Sequence, residues 1–408
     1  MNAQSKIENP KSKIAIVGGG PAGASLAIRL ACGGFDVSLV ERERFPRQKL
    51  CGEFISPECL AHFAALGVAE EMLAAGGERV TETVFYAPGG RSVTVPSAWL
   101  GDARGALGLS RAEMDRQLLE RARACGVRVL EETSVAGLLI DGGGTVAGVR
   151  AKDRAGNAFE IAADLTIDAT GRAGVLARFA EKVLARAKTE NRKPKTENRR
   201  SKLVAFKAHL ENVALPKNRC EIYFFRGGYG GLNYVEGGRA NHCFMVRADL
   251  VKKYIGRTNS LIEEVIFENR PARAALGAAR PVYEYMAVAV DNFGVKNLAP
   301  APGLVAVGDA AAFIDPFTGS GMLMALESAA LLAESIAASG NTERVAADYR
   351  SRHADRFAAR LRVCGLLRRA AFWPALAGSV IAALSLSRPA RRLLARSTRR
   401  AAGGTAPH

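Results

Sequence analysis

Gly18, Gly20 and Gly23 follow the apolar run 14–17 with the spacing G-x-G-x-x-G, and Glu41 closes a second apolar run 23 residues after Gly18. Those residue types suit a bound dinucleotide. One glycine allows the tight turn off a strand, the next lets backbone approach a pyrophosphate, and the third lets the helix sit against the sheet. Pro21 and Ala22 open that helix, whose free N–H groups and positive end attract phosphate. Glu41 would accept hydrogen bonds from an adenosine ribose. A glycine-rich turn between any strand and helix is the plainer reading, but here strand, helix, second strand and acid are all in place.

Two further stretches carry the same logic. After the run 304–307, Gly308-Asp309 leads through Pro316 to Gly319-x-Gly321-Met322, where a helix to about residue 338 begins. A carboxylate at a strand end beside a cluster of N–H donors can hold ligand hydroxyls, though Asp309 could also only cap a helix. Residues 163–172 form an apolar strand emptying into Asp168-Ala169-Thr170-Gly171, which suggests that the sheet returns to the ligand; a plain strand–loop junction is the alternative. Between them, residues 42–57 hold two prolines, a Cys-Gly pair and many charges, so a loop is expected across the ligand. Lys49, Cys51 and Glu53 on that loop are the candidates for proton transfer. Cys51 could equally be a packed small hydrophobe.

The elements that must position these groups can be read from periodicity. Residues 58–67 read as a short helix ending at Gly67, residues 82–95 as a hairpin around Pro88-Gly89-Gly90, and residues 112–125 as a helix capped by Ser110 and ended by Gly126. Residues 127–130 read as a strand, and turns at 142–144 and 156–157 mark a small antiparallel insertion. From 203 to 290, apolar and aromatic runs at 203–210, 220–225, 240–246 and 282–290 predict a second, largely antiparallel sheet. Gly227 to Asn233 reads as a loop, either a wide turn or a close approach to ligand. The aromatics Tyr223, Phe224, Phe225, Tyr229, Phe244 and Tyr283 could line an apolar pocket or fill a core.

Composition limits the function. Of 408 residues, 48% are hydrophobic and 24% charged, which is ordinary for a globular protein. The net charge of +17 is local: residues 181–202 carry +6 and residues 341–408 carry +11, leaving the remainder neutral. A nucleic-acid-binding surface is therefore not expected. In the first of these segments Lys188-Thr189-Glu190-Asn191-Arg192 recurs at 195–199 with no apolar stripe, so a disordered insertion is expected. In the second, the apolar stretch 372–386 lies between arginines. It suits either helices packed on the body of the protein or an interfacial anchor on anionic lipid. Seven cysteines without a C-x-x-C pair, and a polar N-terminus without a secretory signal, fit reduced thiols and a cytoplasmic protein, with peripheral contact at the inner membrane surface as the second option. Five scattered histidines predict no metal site.

Taken together, Gly18-x-Gly20-x-x-Gly23 with Glu41, Ser110-Arg111, Asp168-Ala169-Thr170-Gly171, and Gly308-Asp309-Ala310 with Pro316 and Gly319-x-Gly321 resemble the FAD-binding fold shared by para-hydroxybenzoate-hydroxylase-type monooxygenases and geranylgeranyl reductases. The resemblance covers roughly residues 12 to 335. It implies an α/β protein with a Rossmann-like FAD-binding domain (12–80, 100–180 and 291–340), a mainly antiparallel substrate domain (81–99 and 203–290), the insertion 181–202 and a helical C-terminal region (341–408). Glu41 would hold the ribose, Arg111 would lie along the FAD, Asp309 would meet the ribityl or pyrophosphate region, and Gly319 to Met322 would face the flavin. Arg42 and Val135 complete the expected cofactor contacts.

Pro46-x-x-Lys49-x-Cys51-Gly52 is more similar to the reductase branch. Thr170-Gly171 stands where hydroxylases carry Asp-Gly, which argues against ordinary NAD(P)H-dependent hydroxylation, and the Trp-x-Trp-x-Ile-Pro signature of tryptophan halogenases is absent. The leading expectation is a flavin-dependent oxidoreductase passing hydride to or from a lipophilic small molecule, with NAD(P)H as external donor. An aromatic or polyketide monooxygenase using O₂ is the alternative. A flavoprotein electron carrier docking an acidic partner is the third.

Overall fold

The computed structural model describes residues 12–101, 104–188, 202–291, 293–339 and 341–399. The chain opens with strand β1 (Lys13–Val17), helix α1 (Pro21–Cys32) and strand β2 (Asp36–Val40). Four of the five β1 residues are buried and α1 hides Leu26, Ile28 and Leu30, because the helix packs between the sheet and later helices. A Cβ on Gly23 would lie 1.9 Å from the Gly18 carbonyl oxygen, so the third glycine is what lets α1 start this close to β1. Strands β3 (Glu82–Tyr86) and β4 (Ser92–Pro96) follow as a hairpin. Helix α2 (Arg111–Ala124) starts where the Ser110 hydroxyl accepts from the Glu113 N–H, and β5 (Arg128–Leu130) comes next.

Residues 134–162 form a separate three-stranded antiparallel sheet. The chain then returns through β6 (Leu165–Asp168) to α3 (Val175–Lys188). Four long strands come next: β7 (Leu203–Glu211), β8 (Arg219–Phe225), β9 (Gly228–Tyr234) and β10 (Ala240–Arg247). After β11 (Met286–Val290) and β12 (Leu304–Ala306), the chain ends in helices α4 (Gly321–Ala338), α5 (Thr342–Ala371), α6 (Pro374–Leu386) and α7 (Arg388–Ser397).

The architecture is α/β with two main sheets. The first is parallel, ordered β12-β6-β1-β2-β5, with α1, α2 and α4 in the large core over it. The parallel connections need crossovers, and the α1 crossover is the βαβ unit read from the glycines. The second sheet runs β7-β10-β9-β8-β3-β4, with β11 also on β7; it is antiparallel except where β8 meets β3. The hairpin 82–96 thus extends the same sheet as residues 203–290.

Three expectations need correction. Helix α3 runs on to Lys188, so residues 181–188 are helical rather than disordered: Leu176 and Ala180, one turn apart, are buried and seat the first turns against the core. The rest of the expected insertion, 189–201, lies outside the described residues. Most of the 227–233 run is strand β9, in the middle of the second sheet, rather than a loop. Its glycines are there because the sheet is crowded: a Cβ on Gly228 would come 2.2 Å from the Met245 carbonyl oxygen, and on Gly230 2.9 Å from the Phe244 Cβ. The strand expected over 282–290 is confined to 286–290, with a short pairing of Arg280–Pro281 before it.

Candidate functional site

A cavity of about 1050 Å³ runs between the two sheets. Of the candidate residues, Gly18, Gly20, Pro21, Ala22, Glu41, Arg42, Lys49, Cys51, Glu53, Arg111, Val135, Thr170, Gly171, Asp309, Pro316, Gly319, Gly321 and Met322 all line it. Gly23 and Gly308 do not; both are packing glycines, and a Cβ on Gly308 would sit 2.6 Å from that of Ala22.

At one end, the β1–α1 turn presents bare backbone. Gly20 caps α1 without a side-chain bond, and a Cβ there would meet only the Arg111 guanidinium, 3.6 Å away. Glu41 is buried, accepting from the Gly19 N–H at 2.7 Å and the Glu43 N–H at 3.0 Å. Arg42 is exposed and pairs with Glu43, so it contributes to the rim only. Arg111 reaches in from the first turn of α2. The fully buried Asp115, one turn on, grips it at 2.9 and 2.7 Å and also takes Arg47 at 3.1 Å. Burial disfavours the Arg111 charge, but Asp115 outweighs it and keeps the guanidinium firmly protonated.

Asp309 follows β12 into the cavity. Burial raises its carboxyl above the ordinary range, against the pull of Arg172, Arg111, Lys296 and Lys49. A ring of cations around one carboxylate and two bare glycine turns is suited to a ligand carrying phosphate. Asp168 acts on the backbone instead. Its Oδ1 accepts from the Thr170 hydroxyl and N–H, and its Oδ2 from the N–H groups of Leu176 and Ala177. It therefore shapes the 168–171 turn and caps α3, leaving Thr170 and Gly171 to line the cavity.

The three proton-transfer candidates separate clearly. Glu53 is fully buried and adopts φ 52°, rare for a residue with a side chain. Its carboxylate accepts from Lys207 Nζ, from the Arg111 N–H at 2.9 Å, and bonds His209 Nε2 at 2.6 Å. Burial pushes its pKa up, but the bond to His209 and the charge of Lys207 more than reverse this, so it is held below the usual carboxylate range. Glu53, one of the three proton-transfer candidates, is thus tied by its carboxylate to β7 and to the start of α2. Lys49 is exposed to the cavity, and burial together with Arg47 and Arg111 lowers its pKa. Cys51 is half-buried on the cavity wall, its sulfur accepting from the Glu53 N–H at 3.4 Å.

The far end is apolar. It is walled by Val93 from β4, Ile222 and Phe224 from β8, Val290 from β11, and Ile381 and Leu384 from α6. Of the six aromatics singled out in the sequence, Phe224 and Tyr229 turn their rings to the cavity, while Phe244 stacks on Phe206 in the core on the other face of the sheet. Tyr223 and Phe225 point to the opposite face of β8, into the core, as strand alternation requires. The Tyr229 hydroxyl donates to Asp315 at 2.5 Å, and the same carboxylate oxygen takes the Phe317 N–H, fixing the turn before α4.

Sequence reasoning missed Asp115, Arg172, Lys207, His209, Lys296 and Asp315. Only Asp115 left a signal, four residues after Arg111 on a helix. Arg172 and Asp315 adjoin the predicted Gly171 and Pro316, while Lys207, His209 and Lys296 are brought in from distant strands and loops.

Residues 11–362 match the FAD binding domain family, and the chain belongs to it. It is 28% identical over 338 residues to a tryptophan 2-halogenase of Chondromyces crocatus, covering 80% of this chain but only 61% of the halogenase. It is 26% identical to a menaquinone reductase of Mycolicibacterium smegmatis (82% of this chain, 78% of the relative) and 26% identical to a digeranylgeranylglycerophospholipid reductase of Methanosarcina mazei (79% and 74%). Among solved structures, a geranylgeranyl bacteriochlorophyll reductase-like protein of Thermoplasma acidophilum superposes with a TM-score of 0.75 at 20% identity, covering 94% of this chain and 95% of the other. A flavin-dependent brominase gives the same TM-score and identity, covering 94% and 93%. The protein is an FAD-dependent oxidoreductase.

Proposed function

We propose that the protein reduces a lipophilic small molecule, with FAD as the hydride carrier and NAD(P)H as the external donor. The observation that carries this reading is the continuity of one cavity from the cation-ringed glycine turns to the apolar chamber under α6. The residues present fit FAD. Gly18, Gly20, the α1 N-terminus and Arg111 would hold the pyrophosphate, Glu41 the adenosine ribose and Asp309 the ribityl hydroxyls, while Gly319, Gly321 and Met322 at the start of α4 would face the pyrimidine edge. FAD, when bound, supplies hydride transfer through its N5 atom.

The chain does the remainder. The N-terminus of α4 offers N–H donors to negative charge that gathers beside it. Phe224, Ile222 and Ile381 exclude water and seat an apolar chain. Lys49, an ammonium of lowered pKa open to the cavity, is the best placed of the candidates to deliver a proton; Cys51 is the second. The names of the menaquinone and geranylgeranyl-lipid reductases support the substrate class. The halogenase relative supports an oxygen-using monooxygenase as the competing reading.

Anaerobic turnover with NADH or NADPH and a polyprenyl lipid or quinone, followed by mass spectrometry of the product, separates the two. A gain of two hydrogens without O₂ supports the reductase. A product formed only with O₂, carrying an added oxygen, overturns it.

A further inference from the structure

We propose that the outer face of α5–α7 docks on an anionic lipid surface. This does not rest on the reaction proposed above. Ten large hydrophobic side chains are exposed among the described residues, and five of them fall within one stretch of the C-terminal helices: Leu366, Trp373, Leu376, Leu386 and Leu393. Trp373 is 70% exposed and Leu386 88%. Their spacing is helical. Arg362, Leu366, Arg369 and Trp373 recur at steps of four, three and four along α5 and the turn after it, and Leu376, Ser379, Ala383 and Leu386 continue one exposed, uncharged side of α6.

The charge pattern selects the partner. From residue 356 to the end, the sequence holds eleven arginines and neither Asp nor Glu. Exposed Arg362 and Arg369 flank Leu366, and exposed Arg388 and Arg392 lie between Leu386 and Leu393, so the uncharged stretch is the one from Trp373 to Leu386. An uncharged apolar strip between guanidinium groups is what a bilayer interface accommodates, with the strip at the acyl boundary and the cations at the phosphates. An acidic protein would match the arginines but leave the central strip of α6 without charges to answer. The contact lies on the surface. At 13 residues, α6 is shorter than the roughly 20 needed to span a bilayer. The one described helix long and apolar enough to span is α4, which is mostly buried within the fold.

The opposite side of α6 gives this face its meaning. Ala377, Ile381 and Leu384 point inward and wall the apolar chamber. A lipophilic molecule dissolved in the bilayer would be about one helix diameter, roughly 10 Å, from that chamber.

The test is co-sedimentation of the FAD-loaded full chain with vesicles of phosphatidylglycerol and phosphatidylcholine, against phosphatidylcholine alone. Tryptophan emission of the Trp99→Phe variant, which leaves Trp373 as the only indole, is read in parallel. Binding at least tenfold stronger to the anionic vesicles, a blue shift of emission, and a tenfold or greater loss in the Leu376→Glu/Leu386→Glu variant with its flavin retained support the proposal. Three results overturn it: no sedimentation with anionic vesicles at low salt, binding unchanged in the double variant, or binding to soluble polyglutamate equal to that to vesicles and indifferent to the variant, which would mark a site for acidic proteins instead.

Discussion

Glu53 and Lys207 form an ion pair with both side chains fully buried, joining the loop after the first βαβ unit to β7 of the second sheet. Lys207 also donates to the Gln48 side chain and the Lys49 carbonyl at 3.1 Å each. One ammonium thus holds three points of the loop along the cavity, while the Glu53 carboxylate in turn takes the N–H of Arg111.

Removing the cation leaves that buried carboxylate with only His209 and the Arg111 N–H as partners. Lys207→Met is expected to destabilise the fold by about 3–5 kcal/mol, the usual result of breaking a buried pair from one side. The Lys207→Met/Glu53→Gln double variant should recover a good part of that. Equilibrium denaturation of the three proteins checks it; additive losses would show that the two groups do not act on each other.

The same carboxylate sets an acid limit. Its folded pKa is depressed, so its stabilisation is complete above the unfolded-state value near 4.3 and is lost as pH falls through the lower folded value. Stability of the wild type should therefore fall more steeply below about pH 4.3 than that of Glu53→Gln. Denaturation midpoints between pH 3 and 6 read this directly.

Two glycines of the fingerprint should fail differently. Gly23→Ala would set a Cβ 1.9 Å from a backbone oxygen and should disturb the β1–α1 packing, giving low soluble yield and a lowered Tm. Gly20→Ala has open space and only the Arg111 side chain nearby. It should fold normally yet bind FAD at least tenfold more weakly, as measured by flavin absorbance and cofactor titration.

Filling the far chamber should separate substrate from cofactor. Ala377→Phe adds a ring at the apolar end and is expected to lower kcat/KM for a polyprenyl substrate tenfold or more while flavin content stays unchanged. Equal loss of both would place the flavin itself in that chamber.

Cys32 and Cys125 close the helices α1 and α2 on the surface with their sulfurs 3.2 Å apart. Mild oxidation with diamide should remove two titratable thiols and raise stability by on the order of 3–4 kcal/mol, given the long loop enclosed. Cys32→Ser should abolish both effects; peptide mapping identifies the bridge.

The sequence alone determined the nucleotide half of this protein. Gly18, Gly20, Gly23 and Glu41 act through local backbone geometry within one βαβ unit, so their spacing carries the meaning, and Gly308-Asp309 with the α4 start repeats the same local grammar. The first βαβ unit, the Ser110 cap and the hairpin at 82–96 were legible for the same reason: each is built from one short stretch of chain. Tertiary structure decided the rest. Glu53 reads as a loop acid until β7, some 150 residues later, brings Lys207 and His209 to it, and those two buried bonds make it the anchor of the loop. Residues 227–233 look like a turn until β8 and β10 close on the strand and leave no room for a side chain at Gly228 and Gly230. The sorting of Phe224 toward the cavity and Tyr223 away from it rests on which face of the sheet meets α6. Long-range pairing sets that face, and no local pattern records it.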